Sequence, residues 1–434
     1  MNEIHKHKFF KKRTLREYGS LLFLAGIFFL PSTLFIGLLL LLPASIIGAF
    51  LQDKSFLKDR WNYPLIGFGV LILISTFLQN NILINTFDTI WDPKLSIIGL
   101  GNWLPFIWFF WAFQPYLNSK KSRLLFSLTL LSGSFPVLIT GYGQYFFNWT
   151  GPFQTLKGLI IWYQRPIEIP GGLSGLFNNQ NYAGTWLNLI WPFCIVLFME
   201  KRKSLFKRII SFGFLISVGF ATFLTFSRNA WFGLITSLLI ILGKKRFLFC
   251  ILGVGLILIL LFSPISKGIF QNSMRNILSE RIFLEFSQEG YVGLDATRTE
   301  IFSSAIELIK NNPFFGIGAA SFPEIFNYQT GYWKGHTHNL LLELAISYGL
   351  PATIVLFTTF SSIIILSSKI IFLQKRLDII SPIDKALWTS LFFFLISQLA
   401  DIQYFDGKIS TIMWILMAAL KKIIESSNKP VLKS

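Results

Sequence analysis

The stretch GSLLFLAGIFFLPSTLFIGLLLLLPASIIGAF, residues 19–50, decides how the rest of the chain is threaded. As one helix it would extend roughly 48 Å at 1.5 Å per residue. A hydrocarbon core of roughly 30 Å needs about 20 residues, so the block is too long for one crossing and short for two. Pro31 offers a break, because proline lacks the amide hydrogen and crowds the preceding turn. Broken there, the block becomes two short helices. The basic N-terminal tail HKHKFFKKRTLR then falls on the same side as every strongly basic loop. Those loops carry Lys54, Lys58 and Arg60; Lys120, Lys121 and Arg123; the run 201–208; Lys244, Lys245 and Arg246; and 369–385. With the C-terminal tail they hold 28 of the 39 Lys and Arg residues, and the positive-inside rule makes this side cytoplasmic. Unbroken, the block would turn every later loop outward.

Composition supports the membrane setting. The 434 residues are 53% hydrophobic and only 14% charged, with 48 Phe. Soluble domains carry about 25% charge. A disordered chain, a coiled coil and a cytosolic globule are excluded. The net charge of +18 is accounted for mostly by topology rather than by nucleic-acid binding. Cys194 and Cys250 both sit in apolar runs and make neither a disulfide framework nor a cysteine zinc site. Twelve apolar segments follow one another, starting with 19–31 and 33–50 and including 247–265, 339–372 and 409–420. Residues 1–18 do not read as a cleavable signal.

The expected fold is an all-α integral membrane protein of about 12 transmembrane helices with both termini cytoplasmic. It has three parts: an N-terminal bundle of about nine helices over 1–265, one large outward (periplasmic) loop over 266–337 with amphipathic surface helices, and about three helices with a short cytoplasmic tail over 338–434.

Polar detail gathers on the outward face. In the large loop, Thr297-Arg298-Thr299-Glu300 has the pattern of a capping box. Ile301, Ala305, Ile306 and Ile309 then form one apolar stripe, and Asn311-Asn312-Pro313 stops the helix. The turn FFGIGAASF (314–322) follows, and GYWKGHTHN (331–339) leads into the next membrane helix. The apolar run 339–372 is broken at Gly349-Leu350-Pro351. Other outward segments are 80–98, 148–179, the tip at 227–228, and 402–408.

His5 and His7 lie in the basic tail and contribute charge. His336 and His338 open a membrane helix on the outward face; with no Cys or carboxylate cluster beside them, they do not read as a metal site. Arg228, in TFSRNAW (225–231), opposes the positive-inside trend. It reads either as an interfacial anchor or as a guanidinium for phosphate, with Ser227 beside it. Arg298 stands in the first turn of its helix, where a positive charge is unfavourable to the dipole but free N–H groups attract anions. GGLSGLFNNQNYAG (171–184) reads either as a capped loop or as a polar donor cluster that includes Asn181.

Four segments together resemble the O-antigen ligase/polymerase superfamily of bacterial membrane glycosyltransferases. They are GLFNNQNYAG (175–184), TFSRNAW (225–231), RTEIFSSAIELIKNNPFFGIGAASF (298–322) and HTHNLLLELAISYGL (336–350), in the family's order. His338-Asn339 ahead of Gly349 matches the family's His-polar pair before a glycine turn. A second glycine often found three residues later is Ala352 here, behind Pro351. Thr225-Phe226-Ser227-Arg228 matches the family's Thr-x-Ser-Arg tip, and Arg298 its loop arginine ahead of Pro313, Gly316 and Gly318.

The resemblance implies a metal-independent, cofactor-free enzyme of the bacterial inner membrane. Its donor would be an undecaprenyl-diphosphate-linked glycan, and its acceptor lipid A-core or another glycan, at the periplasmic face. His338 would be the general base, and Arg228 and Arg298 the diphosphate ligands. Asn339, His336, Asn181 and Ser227 would bind or orient substrate. No Asp-x-Asp pair is present to hold the metal of a nucleotide-sugar transferase. A polymerase or a protein glycosylase of the same superfamily differs only in acceptor. A transporter of small anions such as bicarbonate would call for charged or broken helices in paired positions of two repeats. A flippase would call for a polar path. The nearly charge-free spans and the absence of a repeat speak against both.

Overall fold

The computed structural model describes residues 2–81 (2–13 by backbone alone), 90–167, 171–200, 204–249, 252–253, 297–374 and 379–427. Most of the expected span at 247–265, the expected outward loop up to 296, Cys250 and part of the 80–98 loop lie outside the described residues.

The 19–50 block is two helices. Helix α1 (Asn2–Phe29) ends just before Pro31, and α2 (Leu34–Leu51) starts after it. Thr33, extended at φ −147°, accepts the amide hydrogen of Ile36 at 3.1 Å and caps α2. The two helices pack closely where glycine allows it. A Cβ on Gly37 would stand 2.8 Å from the Leu30 Cα, and one on Gly26 would stand 2.6 Å from the Leu41 side chain.

The described elements that follow are α3 (Asn62–Asn81), α4 (Leu95–Leu100), α5 (Leu104–Ala112), α6 (Lys120–Gly133), α7 (Phe135–Phe147), β1 (Phe153–Thr155), β2 (Ile160–Trp162), α8 (Gln180–Phe198), α9 (Leu205–Leu224) and α10 (Arg228–Leu242). After the undescribed stretch come α11 (Arg298–Asn311), α12 (Ser321–Thr330), α13 (Leu340–Tyr348), α14 (Leu350–Ser368), α15 (Pro382–Ser397) and α16 (Gly407–Ser427). Among the described residues the regular structure is helical apart from one antiparallel hairpin, in which Phe153 pairs with Trp162 and Thr155 with Ile160. Among the described residues, seven helical segments are long and apolar enough to cross a membrane: Leu34–Leu51, Asn62–Asn81, Leu95–Ala112, Lys120–Phe147, Gln180–Phe198, Leu205–Leu224 and Leu350–Gln374. These seven account for part of the twelve apolar runs. Helix α10 reaches 15 residues and α15 reaches 16.

The chain divides into two compact units. One is Met1–Ser134 with Asp295–Ser434, and the other is Phe135–Leu294. In the first unit α16 is the central helix, buried without a gap from Lys408 to Lys421. Its Trp414 meets the rings of Phe110 on α5 and Phe360 on α14 edge-on. Arg123, read from sequence as one more basic loop residue, is instead buried. Its guanidinium forks onto Asp384 with bonds of 2.6 and 3.0 Å and also donates to the Leu117 and Ile379 carbonyls. Lys421 is likewise buried against Asp59 and also pairs with Glu425. A charge taken out of water needs such a partner. In the second unit α8 is enclosed by α9 and α10, and buried from Ala183 to Leu197.

Candidate active site

In the first unit the segments around residues 297–349 are built on a glycine turn. Thr297 and Glu300 form the expected capping box: Glu300 N–H donates to the Thr297 hydroxyl at 3.3 Å, and Thr297 N–H to Glu300 Oε2 at 2.7 Å. These bonds hold the exposed Glu300 carboxyl below its usual range. Helix α11 ends at Asn311 and lays Ile301, Ala305 and Leu308 on Phe322 and Phe326 of α12 and on Ala345 and Ile346 of α13. Helix α12 was not legible in the sequence, which showed only the turn before it.

The turn itself docks on the break between α13 and α14. Ile317 N–H donates to the Ile346 carbonyl at 2.6 Å, and Leu350 N–H to the Pro313 carbonyl at 2.8 Å. Gly349 has φ +86°, and a Cβ there would stand 2.1 Å from the Phe314 carbonyl oxygen. Only glycine combines that backbone with that approach. From α3, Gln79 donates to the Gly316 carbonyl at 2.6 Å, and the Trp91 indole donates to Ala319 at 3.1 Å. The segment that introduces the histidines therefore hangs from a braced corner.

His336 and His338 stand together, ring centroids 4.5 Å apart. His338 adopts φ +55°, a conformation that costs a non-glycine residue and collects at functional sites. The surroundings enforce it. Asn339 caps α13, its Oδ1 accepting from Leu341 N–H at 2.9 Å and Leu342 N–H at 3.2 Å, while its Nδ2 donates to the Leu399 carbonyl at 3.0 Å. Leu340 N–H donates to the Gln398 carbonyl at 2.9 Å. Glu343, buried one turn on, accepts from Thr337 N–H at 2.9 Å and fixes the turn between the histidines.

These stitches bring Asp401, from the loop between α15 and α16, against His338. Its Oδ1 lies 2.7 Å from His338 Nδ1, and its Oδ2 accepts from Gln403 Nε2 at 2.8 Å. Gln403 is held in turn by Gln398. Burial alone would raise the Asp401 carboxyl. The hydrogen bond from His338, with the Arg298 charge and the two imidazoles when they are protonated, outweighs burial and holds it below its usual range. An ionised carboxylate only accepts hydrogen bonds, so His338 carries its proton on Nδ1. Its Nε2 lone pair is left bare on a side chain that is 30% exposed. That is the arrangement of an imidazole base held in one tautomer by a carboxylate.

His336 plays a different part. Its Nδ1 accepts the His338 amide hydrogen at 3.1 Å. Burial, followed by the neighbouring His338, lowers its pKa to about 4, against a smaller opposing pull from Asp401. It is neutral at pH 7, with its proton on Nε2.

Arg298 is the first residue of α11, exposed and close enough to favour the Asp401 carboxylate. Arg228 belongs to the second unit, where it is the first residue of α10 and exposed. Both arginines thus stand at a helix N-terminus, where the helix dipole favours an anion. Around Arg228 two of the sequence motifs converge. Leu173 N–H donates to the Leu224 carbonyl at 2.9 Å, Asn188 donates to the Ala230 carbonyl at 3.0 Å, and a Cβ on Gly172 would stand 2.1 Å from the Thr225 carbonyl oxygen. Phe226 has φ +50°, the same left-handed conformation as His338. Ser227 is buried as the N-cap residue of α10. Asn181 lies in the first turn of α8, its amide capped by Asn179 at 2.9 Å.

Asp401, Gln398 and Gln403 were missed in the sequence. The only signal was two acids and two amides in the short tip SQLADIQYFD (397–406) between apolar runs. Asp401 also corrects the reading that no carboxylate accompanies the histidines. Ligand atoms of His336, His338 and Asp401 all lie within 4.8 Å of one another, close enough to share a metal ion. His338 Nδ1 is bonded to Asp401 and His336 Nδ1 to the His338 amide, so an ion held there would be met by the Nε2 atoms of the two imidazoles, with Asp401 supporting His338 from behind.

Residues 212–357 match the family described as O-antigen ligase. The matched stretch contains Ser227, Arg228, Arg298, His336, His338 and Asn339; Asp401 lies beyond it. No curated protein matches the chain. The family match and the apolar helices together make this a multi-pass membrane protein, and they lend nothing to the transporter alternative.

Proposed function

We propose that this chain, a member of the O-antigen ligase/polymerase superfamily, transfers a glycan from an undecaprenyl-diphosphate carrier to an acceptor hydroxyl at the periplasmic face of the inner membrane. The observation that carries the reading is the His338–Asp401 dyad, 2.7 Å long and exposed at the His338 ring. His338 Nε2 takes the proton from the acceptor hydroxyl as its oxygen attacks the anomeric carbon. The bond from that carbon to the diphosphate oxygen breaks, and undecaprenyl diphosphate leaves with the electron pair. Asp401 supports the imidazolium that forms. Arg298, in the same unit as the dyad, meets the charge developing on the leaving diphosphate, which guanidinium binds in a bidentate manner; Arg228 is the guanidinium that the second unit offers for the same chemistry. Asn339 holds His338 in place, while His336, Asn181 and Ser227 border the two arginine and histidine corners as substrate-side groups.

The acceptor distinguishes a ligase acting on lipid A-core from a polymerase acting on a second lipid-linked glycan. The braced outward helices α11 and α12, beside the dyad in the same unit, favour an acceptor that is recognised outside the membrane, as a ligase requires. The test is turnover of the purified protein in liposomes containing undecaprenyl-diphosphate oligosaccharide and each acceptor in turn. Mass spectrometry follows free undecaprenyl diphosphate and the glycosylated product. The reading expects both to appear together with one acceptor; release of neither from folded protein would overturn it.

A further inference from the structure

Beside the dyad, within the first unit, lies a cavity of about 200 Å³ that the proposed proton transfer does not use. Its lining combines the aromatic rings of Trp103 and Phe405 with the polar groups of Asn102, Glu343, Ser347, Tyr348 and His336. Tyr348 is 2% exposed, and its hydroxyl has no hydrogen-bond partner among the described residues. A buried hydroxyl left unpaired is costly and uncommon, and calls for a ligand or an ordered water. His336 contributes a donor, because its Nδ1 is already occupied by the His338 amide and its proton sits on Nε2. Glu343 contributes a carboxyl of which Oε2 accepts from Thr337. Asn102 and Ser347 can both donate and accept.

A ring of hydroxyls with one apolar face is the ligand such walls suit. Aromatic surface covers the C–H face of a pyranose, and mixed donors and acceptors meet its equatorial hydroxyls. We infer that this cavity is a monosaccharide subsite, which seats one pyranose ring of the transferred or accepting glycan next to His338, with the Tyr348 hydroxyl bonded to a sugar hydroxyl. The inference rests on the glycan-transfer reading and names the sugar-binding part of that site. His336 is the hinge between the two: it lines the cavity and touches the His338 ring at 4.5 Å between centroids.

The decisive variant is Tyr348→Phe. It removes an oxygen that bonds to nothing among the described residues, so thermal unfolding of the full chain should be unchanged. One neutral hydrogen bond to a sugar is worth a roughly fivefold change in affinity. The wild type is first assayed for transfer. If it transfers, Tyr348→Phe should raise the KM of one substrate about fivefold with little change in kcat. A rise for the undecaprenyl-linked donor assigns the subsite to the transferred glycan, and a rise for the acceptor assigns it to the accepting sugar. Unchanged KM for both overturns the subsite while leaving transfer intact. If the wild type transfers nothing, the function reading fails by itself, and binding decides the subsite. Saturation-transfer NMR would then test methyl glycosides of glucose, galactose, mannose, rhamnose and N-acetylglucosamine on the full chain in nanodiscs. Saturation of at least one, lost in the cavity-filling variant Ser347→Leu, supports the inference. Saturation of none, or saturation that persists in Ser347→Leu, shows a water-filled cavity and overturns it.

Discussion

Replacing Asp401 with Asn keeps the size and shape of the side chain against His338 and removes its charge. The bond at stake is 2.7 Å long, between side chains 30% and 10% exposed, so water screens it only in part. A hydrogen bond with one charged partner contributes about 1.5–3 kcal/mol. At about 1.36 kcal/mol per tenfold in rate, that corresponds to roughly a 10- to 150-fold fall in kcat. The Asn amide adds a second loss. It can turn its NH2 group toward Nδ1, which moves the imidazole proton to Nε2 and disables the base, so the effect should lie toward the upper end. Gln403, now donating to the amide oxygen, helps to fix that orientation. The assay is steady-state transfer in liposomes, with kcat and the donor KM determined separately, on protein whose melting curve matches wild type. The expected result is a kcat lower by one to two orders of magnitude and a donor KM within twofold. Wild-type kcat in folded Asp401→Asn, or a loss confined to the donor KM, would refute the dyad as the source of the base.

Other outcomes follow from the same geometry. Folded His336 binds its proton only near pH 4, whereas the unfolded side chain does so near 6.5; between these values the unfolded state holds more protons. Stability should therefore fall as pH drops from about 6.5 to 4, and His336→Gln should flatten that slope in a denaturation series. Thr297→Ala breaks the capping box and should cost about 1 kcal/mol of stability, read as a lower melting temperature. Gly349→Ala adds a Cβ 2.1 Å from the Phe314 carbonyl oxygen at φ +86°, and should abolish folded protein in a size-exclusion assay. Asp384→Ala strands the buried Arg123 guanidinium and should cost about 3–5 kcal/mol, with the surviving folded fraction unchanged in donor KM.

Local sequence signals were legible where the chemistry is local. Pro31 marked the break in the 19–50 block, Thr297 and Glu300 marked the start of α11, Asn311-Asn312-Pro313 marked its end, and Gly349 marked the α13–α14 break. Each is a rule about adjacent backbone. Arg298 and His338 were found because charge and imidazole are scarce on that outward face. What the sequence left open depends on contacts between distant segments. Asp401 is 63 residues from His338 and joins it only because Asn339 and Leu340 bond to the carbonyls of residues 398 and 399. Arg123 looked like a topology signal until Asp384, 261 residues away, took its charge. Hydropathy likewise reports only how apolar a run is; it did not show that α16 is enclosed by other helices from Lys408 to Lys421.

The central claim is that His338 removes the acceptor proton without a metal, and single-turnover transfer tests it most directly. Wild type, His338→Ala and Asp401→Asn in liposomes would receive undecaprenyl-diphosphate glycan and acceptor in excess EDTA. The account predicts undiminished product from wild type, product slowed by one to two orders of magnitude in Asp401→Asn, and almost none from folded His338→Ala. Wild-type product that disappears in EDTA and returns with zinc would instead make His336, His338 and Asp401 a metal site and contradict the account. Product that persists in His338→Ala would place the base elsewhere.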